Sequence, residues 1–123
     1  MILVAEDNPV NRQVICQQLA WLGYACLLAE DGKAALALRR QHRFGLVLTD
    51  CHMPVMDGFM LTREIRWEEQ ALSTARLPVI AITASALASE RDQCRLAGMD
   101  DFLAKPVELQ GLQRVVEKWL AEG

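Results

Sequence analysis

The sequence lacks the cysteine patterns of metal-binding and disulfide-rich proteins. The four cysteines, Cys16, Cys26, Cys51 and Cys94, stand singly, with no C-x-x-C pair and no histidine at zinc-finger spacing. We therefore expect neither a zinc site nor a disulfide framework. All four are expected to be small, buried hydrophobic residues in a protein of the reducing cytoplasm.

Long hydrophobic runs are also missing. The longest uncharged run, Gln13 to Ala29, contains three glutamines, whereas a membrane-spanning helix needs roughly 18 or more predominantly apolar residues. The opening segment MILVAED has no basic residues ahead of its apolar ones and reaches two acids at once, unlike a signal peptide. These observations predict a cytoplasmic location and no membrane contact by this domain.

Charge of neither sign dominates. The 13 basic and 16 acidic side chains give a formal charge of −3, and no cluster of Lys or Arg is suited to following a phosphate backbone. We therefore expect no direct contact with nucleic acid. With 52% hydrophobic and 24% charged residues, the 123-residue chain has the composition of one globular domain, expected over residues 1–123.

Five short apolar runs predict β-strands, and helical patterns lie between them. The runs are apolar throughout instead of alternating, which is typical of parallel strands covered by helices on both faces. They are Ile2 to Ala5, Ala25 to Ala29, Leu46 to Thr49, Val79 to Thr83 and Asp101 to Ala104. Strict alternation of five strands with five helices predicts an α/β fold of the (βα)₅ type with right-handed crossovers.

The predicted helices carry start and stop signals. Asn8, Asp31 and Asp57 are the expected first residues of three helices, and Gly98 is the expected end of the fourth. Ser89 with Asp92 resembles a capping box at the start of that fourth helix. The polar connection between residues 68 and 78 predicts a loop. The tryptophans are expected to pack in the core or at its rim; they are Trp21, Trp67 and Trp119.

Polar side chains occur at the carboxyl ends of four predicted strands. They are Glu6 and Asp7, Asp50, Thr83, and Lys105 with Pro106. Because ligands bind outside the carboxyl ends of parallel strands, we expect these residues to meet at one edge of the sheet. Each alone has an ordinary explanation as a helix cap or an exposed residue. Three carboxylates in one crevice repel each other, however, and oxygen ligands of this kind favour Mg²⁺ over zinc or copper.

Four segments resemble the receiver domain of two-component response regulators. They are ILVAEDNPVNR, LVLTDCHMPVMDG, PVIAITASA and AGMDDFLAKP, and together they cover essentially the whole chain in the family's order. The resemblance implies a flavodoxin-like, doubly wound, five-stranded parallel sheet of strand order 2-1-3-4-5. The Glu6-Asp7 pair and AGMDDFLAKP look most like the receivers of hybrid sensor histidine kinases, which can be the cytoplasmic part of a membrane-anchored protein.

The resemblance also implies how the acidic edge works. Asp50 is the implied phosphoacceptor, which attacks a phosphohistidine as a carboxylate nucleophile and becomes an aspartyl phosphate. The implied Mg²⁺ ligands are Glu6, Asp7, Asp50 and the backbone carbonyl of His52, with Mn²⁺ as a substitute ion. The imidazole of His52 is not needed for this role.

Further residues are implied to sense the modification. Lys105 and Thr83 would contact phosphoryl oxygens, and Phe102 would rotate behind Thr83 as an aromatic switch. The surface expected to change is formed by the fourth helix, fifth strand and fifth helix, which is also the expected site of a weak homodimer. Pro106, as a cis-proline, would aim Lys105 into the site, and Gly58 would shape the loop after Asp50.

The implied function is a phosphoacceptor in a phosphorelay, with a histidine kinase or a histidine phosphotransfer domain as partner. The domain's own activity would not exceed self-phosphorylation and self-dephosphorylation, although the parent protein can be a kinase. A stand-alone response regulator is one alternative. Three other interpretations are disfavoured. A haloacid-dehalogenase-like phosphatase would need a second acid where His52 lies, and a flavodoxin-like flavin carrier would need a less acidic first loop. A pseudo-receiver would have lost an acid, Thr83 or Lys105, and none of these is missing.

Overall fold

The computed structural model describes residues 1–85 and 87–120, where five strands alternate with five helices. The strands are β1 (Ile2–Ala5), β2 (Cys26–Ala29), β3 (Leu46–Asp50), β4 (Val79–Thr83) and β5 (Asp101–Ala104). The predicted strands are confirmed, with β2 beginning one residue later and β3 ending one residue later than expected. All five are parallel, in the order β2-β1-β3-β4-β5.

The first three helices begin where a side chain satisfies free backbone N–H groups. They are α1 (Pro9–Trp21), α2 (Gly32–Gln41), α3 (Gly58–Leu72), α4 (Ala88–Ala97) and α5 (Leu109–Leu120). Asn8 accepts hydrogen bonds from the N–H groups of Val10 and Asn11 at 2.9 and 3.1 Å, and Asp31 and Asp57 cap α2 and α3 in the same way. The three predicted N-caps are therefore confirmed.

The predicted capping box of α4 is wrong. The helix already begins at Ala88, preceded by Leu87, and no side chain caps it. Ser85 accepts a hydrogen bond from the Leu87 N–H at 3.2 Å, so the chain turns toward the helix before it reaches Ser89. Gly98 ends the helix with a left-handed φ of 105°, as expected, because glycine tolerates this conformation.

Helices cover both faces of the sheet, so two cores form. One core joins Leu3, Val47 and Ala81 to α2, α3 and α4, and the other joins Val4 and Ile80 to α1 and α5. Successive strand residues point to opposite faces, which is why strands that are apolar throughout are needed. The doubly wound α/β fold and its predicted strand order are confirmed.

The expected polar loop between residues 68 and 78 is shorter than predicted. Helix α3 continues to Leu72, and Glu68 and Glu69 on its last turns are buried. Glu69 accepts hydrogen bonds from the Arg66 guanidinium and, at 2.6 Å, from the Leu77 N–H. The polar composition was misleading because these carboxylates are paired inside the fold instead of being solvated.

A partly buried carboxylate fixes the far end of the sheet, away from the polar edge. Asp100 accepts hydrogen bonds from Arg66 at 2.8 Å, from Arg76 at 2.8 Å and from the Val79 N–H at 2.9 Å. The two arginines thus tie the segment before β5 to α3 and to the segment before β4. A buried charge with this many partners is tolerated only while all of them remain in place.

Two tryptophans depart from the prediction of core or rim packing. Trp21 and Trp67 are each 67% exposed, since both lie on the outer faces of their helices. Trp119 is partly buried, and its indole N–H donates to Asp101 at 2.9 Å.

No helix within residues 1–85 and 87–120 has both the length and the apolar composition that crossing a membrane requires.

The cysteines form two pairs in space, which their sequence spacing does not suggest. Cys51 and Cys94 are fully buried between β3 and α4, with their sulfur atoms 3.7 Å apart. Cys16 on α1 and Cys26 on β2 lie with their sulfur atoms 3.1 Å apart, and both are partly exposed. The expectation of four buried thiols is confirmed for the first pair and wrong for the second.

Candidate functional site

Three carboxylates converge at the carboxyl edge of the sheet. Glu6, Asp7 and Asp50 each offer an oxygen atom, and these atoms lie within 4.8 Å of one another. The strand register explains the convergence: Ala5 of β1 pairs with Thr49 of β3, so the next residues, Glu6 and Asp50, are neighbours. This confirms the predicted meeting of acids from two strand ends.

The Glu6 carboxylate is fully buried and held in place from two sides. Asn11 of α1 donates to it from its side-chain amide at 3.0 Å, and the Asp7 N–H donates at 3.1 Å. Arg12 donates to the backbone carbonyls of Glu6 and Asp7 at 2.9 and 3.2 Å. The first turn of α1 therefore positions the acidic pair, a contribution that the sequence pattern did not reveal.

Lys105 brings the positive charge of the site. Its Nζ lies 2.7 Å from Asp50 Oδ2 and 3.5 Å from Glu6 Oε1, and the Lys105–Pro106 peptide bond is cis, as the sequence predicted. Burial works to lower the pKa of Lys105, but the hydrogen bond and charge of Asp50, together with Glu6, outweigh it and raise the pKa above its ordinary value. Lys105 is therefore an ammonium ion in contact with Asp50.

Glu6 carries the largest perturbation among the acids of the site. Burial, followed by the hydrogen bond and charge of Asp50, raises the pKa of Glu6 from 4.5 to about 7, against the opposing effects of Asn11 and Lys105. Three acids placed this closely cannot all be ionised cheaply without a cation. Glu6 therefore takes up a proton more readily than an ordinary glutamate, and a cation bound by the three carboxylates would oppose this.

Thr83 and Phe102 lie on the two strands that follow Asp50 across the sheet. Asp50 pairs with Ile82 of β4, so Thr83 lies one residue further toward the site, where its buried hydroxyl accepts from the Ser85 N–H at 3.0 Å. Phe102 on β5 is half-buried, and the Arg91 guanidinium lies 5.6 Å from the centre of its ring. Both residues connect the site to α4.

The His52 imidazole contacts α4 and not the acidic trio. Its Nε2 lies 2.8 Å from Glu90 Oε1, and the ring is 72% exposed. Burial would raise the pKa of Glu90, but hydrogen bonds from Ser85 and His52 outweigh it and lower the pKa below its ordinary value. The local sequence around Glu90 gives no sign of a partner on another element, so this contact could not be predicted from the sequence.

The loop after Asp50 packs too closely for a side chain at Gly58. A Cβ atom there would lie 2.2 Å from the Asp50 carbonyl oxygen, and the Gly58 N–H donates to the Cys51 carbonyl at 3.0 Å. In the same loop, Val55 has a φ of 71°, a strained conformation for a β-branched residue. Such strain is frequent near functional sites.

A groove of about 410 Å³ opens beside the site, between α1 and the segment after β5. Its floor carries Glu6 and Lys105, and its walls carry apolar side chains such as Val14, Pro106 and Val107. Val10 and Val14 on the same helix are strongly exposed. The site is therefore reached across a partly apolar surface, which the strand-end analysis did not foresee.

The described residues thus unite a nucleophile, hard oxygen ligands and a fixed ammonium group. The acidic trio fits an ion such as Mg²⁺, which takes carboxylate oxygens and retains waters.

The family model described as "Response regulator receiver domain" matches residues 2–117. The chain belongs to the response regulator receiver domain family. This membership favours the receiver over the phosphatase and flavin-carrier alternatives.

Receivers of sensor kinases are among the similar proteins. The sensor histidine kinase RcsC of Escherichia coli is 44% identical over 116 residues, which cover 94% of this chain and 12% of RcsC. The virulence sensor protein BvgS of Bordetella pertussis is 42% identical over 122 residues, 98% of this chain and 10% of BvgS. This receiver therefore spans about a tenth of the length of these relatives.

Solved receiver structures share the fold. The receiver domain of sensor histidine kinase PA1611 from Pseudomonas aeruginosa, with magnesium in its active-site cleft, is 45% identical with a TM-score of 0.87, covering 98% of this chain and 96% of that one. A chain from the Saccharomyces cerevisiae complex of the phosphotransfer protein Ypd1 with the Ssk1 receiver domain is 26% identical with a TM-score of 0.94, covering 98% and 88%.

Proposed function

We propose that this receiver accepts a phosphoryl group on Asp50 from a phosphohistidine. The observation that carries the proposal is the contact of 2.7 Å between Lys105 Nζ and Asp50 Oδ2, next to three carboxylate oxygens within 4.8 Å of one another. Asp50 is the member of the trio that both contacts the ammonium group and lies at the end of the central strand. This position supports Asp50 as the nucleophile, between the expected ligands of the metal and of the phosphoryl group.

The metal site fits Mg²⁺ by the chemistry of its donors. Glu6, Asp7 and Asp50 supply hard oxygen atoms, and we propose the backbone carbonyl of His52 as a further ligand. The pKa of Glu6, raised to about 7, supports a cation site, because the crowded carboxylates repel each other and a bound cation would offset that repulsion. When bound, Mg²⁺ neutralises negative charge on the phosphoryl oxygens.

The transfer itself requires little more than positioning. An Asp50 carboxylate oxygen forms a bond to phosphorus while the bond from phosphorus to the donor histidine nitrogen breaks, and the electron pair of that bond stays on the imidazole. Lys105 shifts its contact from the carboxylate to a phosphoryl oxygen, which it binds as a compact charge. The Thr83 hydroxyl, which donates to the Ser85 carbonyl at 3.5 Å, then exchanges this acceptor for a phosphoryl oxygen.

We infer that this exchange switches the face formed by α4, β5 and α5. Thr83 holds the segment before α4 through Ser85, and Phe102 lies against Arg91 of α4, so a movement of Thr83 is transmitted to both. The added group carries a charge of about −1.5 to −2, which is sufficient to bias two pre-existing conformations. A weak homodimer through this face is part of the same proposal.

We infer that the phosphohistidine partner docks on the groove beside the site. The exposed Val10 and Val14, together with Pro106 and Val107, form an apolar surface adjacent to Lys105. The relatives RcsC and BvgS favour a hybrid sensor kinase as the parent protein, with a histidine kinase or phosphotransfer domain as partner. Because a kinase requires ATP, we infer a cytoplasmic location for the domain.

Intact mass spectrometry tests the acceptor. After incubation with Mg²⁺ and acetyl phosphate, wild type should gain one phosphoryl group, and Asp50→Asn should gain none. Asp92→Asn is the matched control, since Asp92 lies exposed on α4. A chelator should abolish the gain in every variant. Full phosphorylation of Asp50→Asn, or of wild type in chelator, would contradict the proposal.

The docking surface needs a separate comparison of two donors. Val14→Glu should slow transfer from a phosphorylated histidine phosphotransfer domain and leave the reaction with acetyl phosphate unchanged, because the small donor needs no docking surface. Leu72→Glu, at another solvent-exposed apolar position, on α3 (67% exposed, against 46% for Val14), is the control and should change neither rate. Equal slowing by both variants would refute docking on this groove.

A further inference from the structure

Two thiols outside the phosphorylation site lie close enough to join. Cys16, in the middle of α1, and Cys26, at the start of β2, have their sulfur atoms 3.1 Å apart. A disulfide bond is about 2.05 Å long, so closing the pair requires a movement of roughly one ångström. The two residues are ten positions apart in the sequence, and the fold alone brings them together.

Solvent reaches this pair but does not reach the other one. Cys16 lines an open groove of about 600 Å³, together with Arg12 and Leu28, and both thiols of the pair are partly exposed. Cys51 and Cys94 lie at 0% exposure with their sulfur atoms 3.7 Å apart. Reaction with a dissolved oxidant requires access as well as proximity. The chain therefore contains a candidate redox pair and a buried pair for comparison.

We propose that Cys16 and Cys26 form a thiol oxidation site, at which a small anionic disulfide such as oxidised glutathione closes an intramolecular disulfide bond. Arg12 lines the same groove as Cys16 and adds positive charge to it, which suits an oxidant that carries carboxylates. Leu28 on the edge strand, which also lines the groove, is exposed.

The reaction proceeds in two exchange steps. The Cys16 thiolate attacks one sulfur of oxidised glutathione, which forms a mixed disulfide and releases one glutathione thiolate. The Cys26 thiol then loses its proton as its sulfur attacks Cys16 Sγ, which breaks the mixed disulfide and releases the second glutathione. The two cysteines lose two electrons and two protons in total, and the glutathione disulfide is reduced to two thiols.

The order of the steps follows from the surroundings of the two thiols. Burial, followed by the proximity of Cys16, raises the pKa of Cys26 to about 12, which disfavours Cys26 as the thiol that attacks the oxidant first. Cys16 is the member of the pair that lines the groove. Cys16 is therefore the residue that meets the oxidant, and Cys26 resolves the mixed disulfide.

The bond would tie α1 to the edge of the sheet. Cys26 pairs with Ile2 at the start of β1, and the first turn of α1 holds Glu6 through Asn11. A disulfide in this position would restrict the helix that supports the acidic pair, without contacting the acids themselves. Oxidation should therefore protect α1 and β2 from local opening, which hydrogen exchange can measure.

The test uses the full 123-residue chain under native conditions with oxidised glutathione. The protein is then denatured, its remaining thiols are alkylated, and its mass is measured. Wild type should retain two alkylated cysteines, compared with four in the untreated protein. Chymotrypsin cleaves after Trp21 and Tyr24, so the bond should appear as two joined peptides that dithiothreitol separates. Cys26→Ser should stop at a glutathione adduct on Cys16.

A matched control separates the proposal from general thiol reactivity. The double variant Cys51→Ala, Cys94→Ala lacks the buried pair and should form the disulfide as readily as wild type. Cys16→Ser should lose no pair of thiols. The proposal is overturned if wild type keeps four free thiols, if the bond joins Cys51 to Cys94, if the product is an intermolecular dimer, or if a stable adduct remains on Cys16 of wild type.

Discussion

Raising the pH should destabilise the metal-free protein through one residue, Glu6. Its carboxyl group is fully buried beside Asp50, and its pKa is raised from 4.5 to about 7. Between these two pH values the folded protein holds a proton that the unfolded chain releases. The folded state therefore binds more protons, and the free energy of unfolding falls as pH rises through this window.

The size of the effect follows from the shift. One pKa unit corresponds to about 1.4 kcal/mol, so the change from 4.5 to about 7 corresponds to roughly 3 kcal/mol between pH 4.5 and pH values above 7. The contribution of Glu6 is present in full below pH 4.5 and is lost once pH exceeds the folded-state pKa. A loss of this size is a large part of the stability of a small domain.

Urea unfolding in the presence of a chelator measures this slope at several pH values between 5 and 8. Glu6→Gln is the control, because it keeps the shape of the side chain and cannot titrate. The unfolding free energy of wild type minus that of Glu6→Gln should fall by about 2 to 3 kcal/mol from pH 5 to pH 8. A constant difference at all pH values would refute the reasoning.

Two further predictions concern stability and can be measured by urea unfolding. Gly58→Ala should cost about 3 kcal/mol or more, because the new Cβ would lie 2.2 Å from the Asp50 carbonyl oxygen. Gly111→Ala in α5 is the control: its Cβ meets only an ordinary contact, and the change should stabilise the protein by about 0.5 kcal/mol. Similar effects of the two substitutions would contradict the packing argument. Asp100→Ala should cost about 2 to 3 kcal/mol, because it removes the ion pairs with Arg66 and Arg76 and leaves the Val79 N–H without its acceptor. Asp92→Ala in an exposed pair should stay within about 0.5 kcal/mol, and equal costs would contradict the argument.

Local pattern was sufficient for the strands and for much of the site. Runs that are apolar throughout can only be strands or buried helices, and five of them alternating with helices leave a parallel sheet as the consistent solution. The site followed from the same topology, because Glu6, Asp50 and Lys105 come directly after strands whose ends share one edge. Convergence on that edge required no knowledge of side-chain conformation.

Pairing across the fold was what the sequence could not reveal. Glu69 and Glu90 look like solvated helix residues, yet one is buried on Arg66 and the other is bound to His52. The close approach of Cys16 and Cys26 depends on the angle at which α1 crosses β2. Such contacts are set by packing geometry between elements, which composition and periodicity within one element do not encode.

The charges of the site link phosphorylation to the cation. Before transfer, the Lys105 ammonium offsets Asp50, and a proton on Glu6 relieves part of the remaining repulsion. After transfer, a group with a charge of about −1.5 to −2 replaces the single charge of Asp50, while Lys105 stays the same. The phosphorylated site is therefore more negative and should bind Mg²⁺ more tightly. Because linkage is reciprocal, the factor by which phosphorylation raises the affinity for Mg²⁺ is also the factor by which bound Mg²⁺ shifts the equilibrium toward the phosphorylated form.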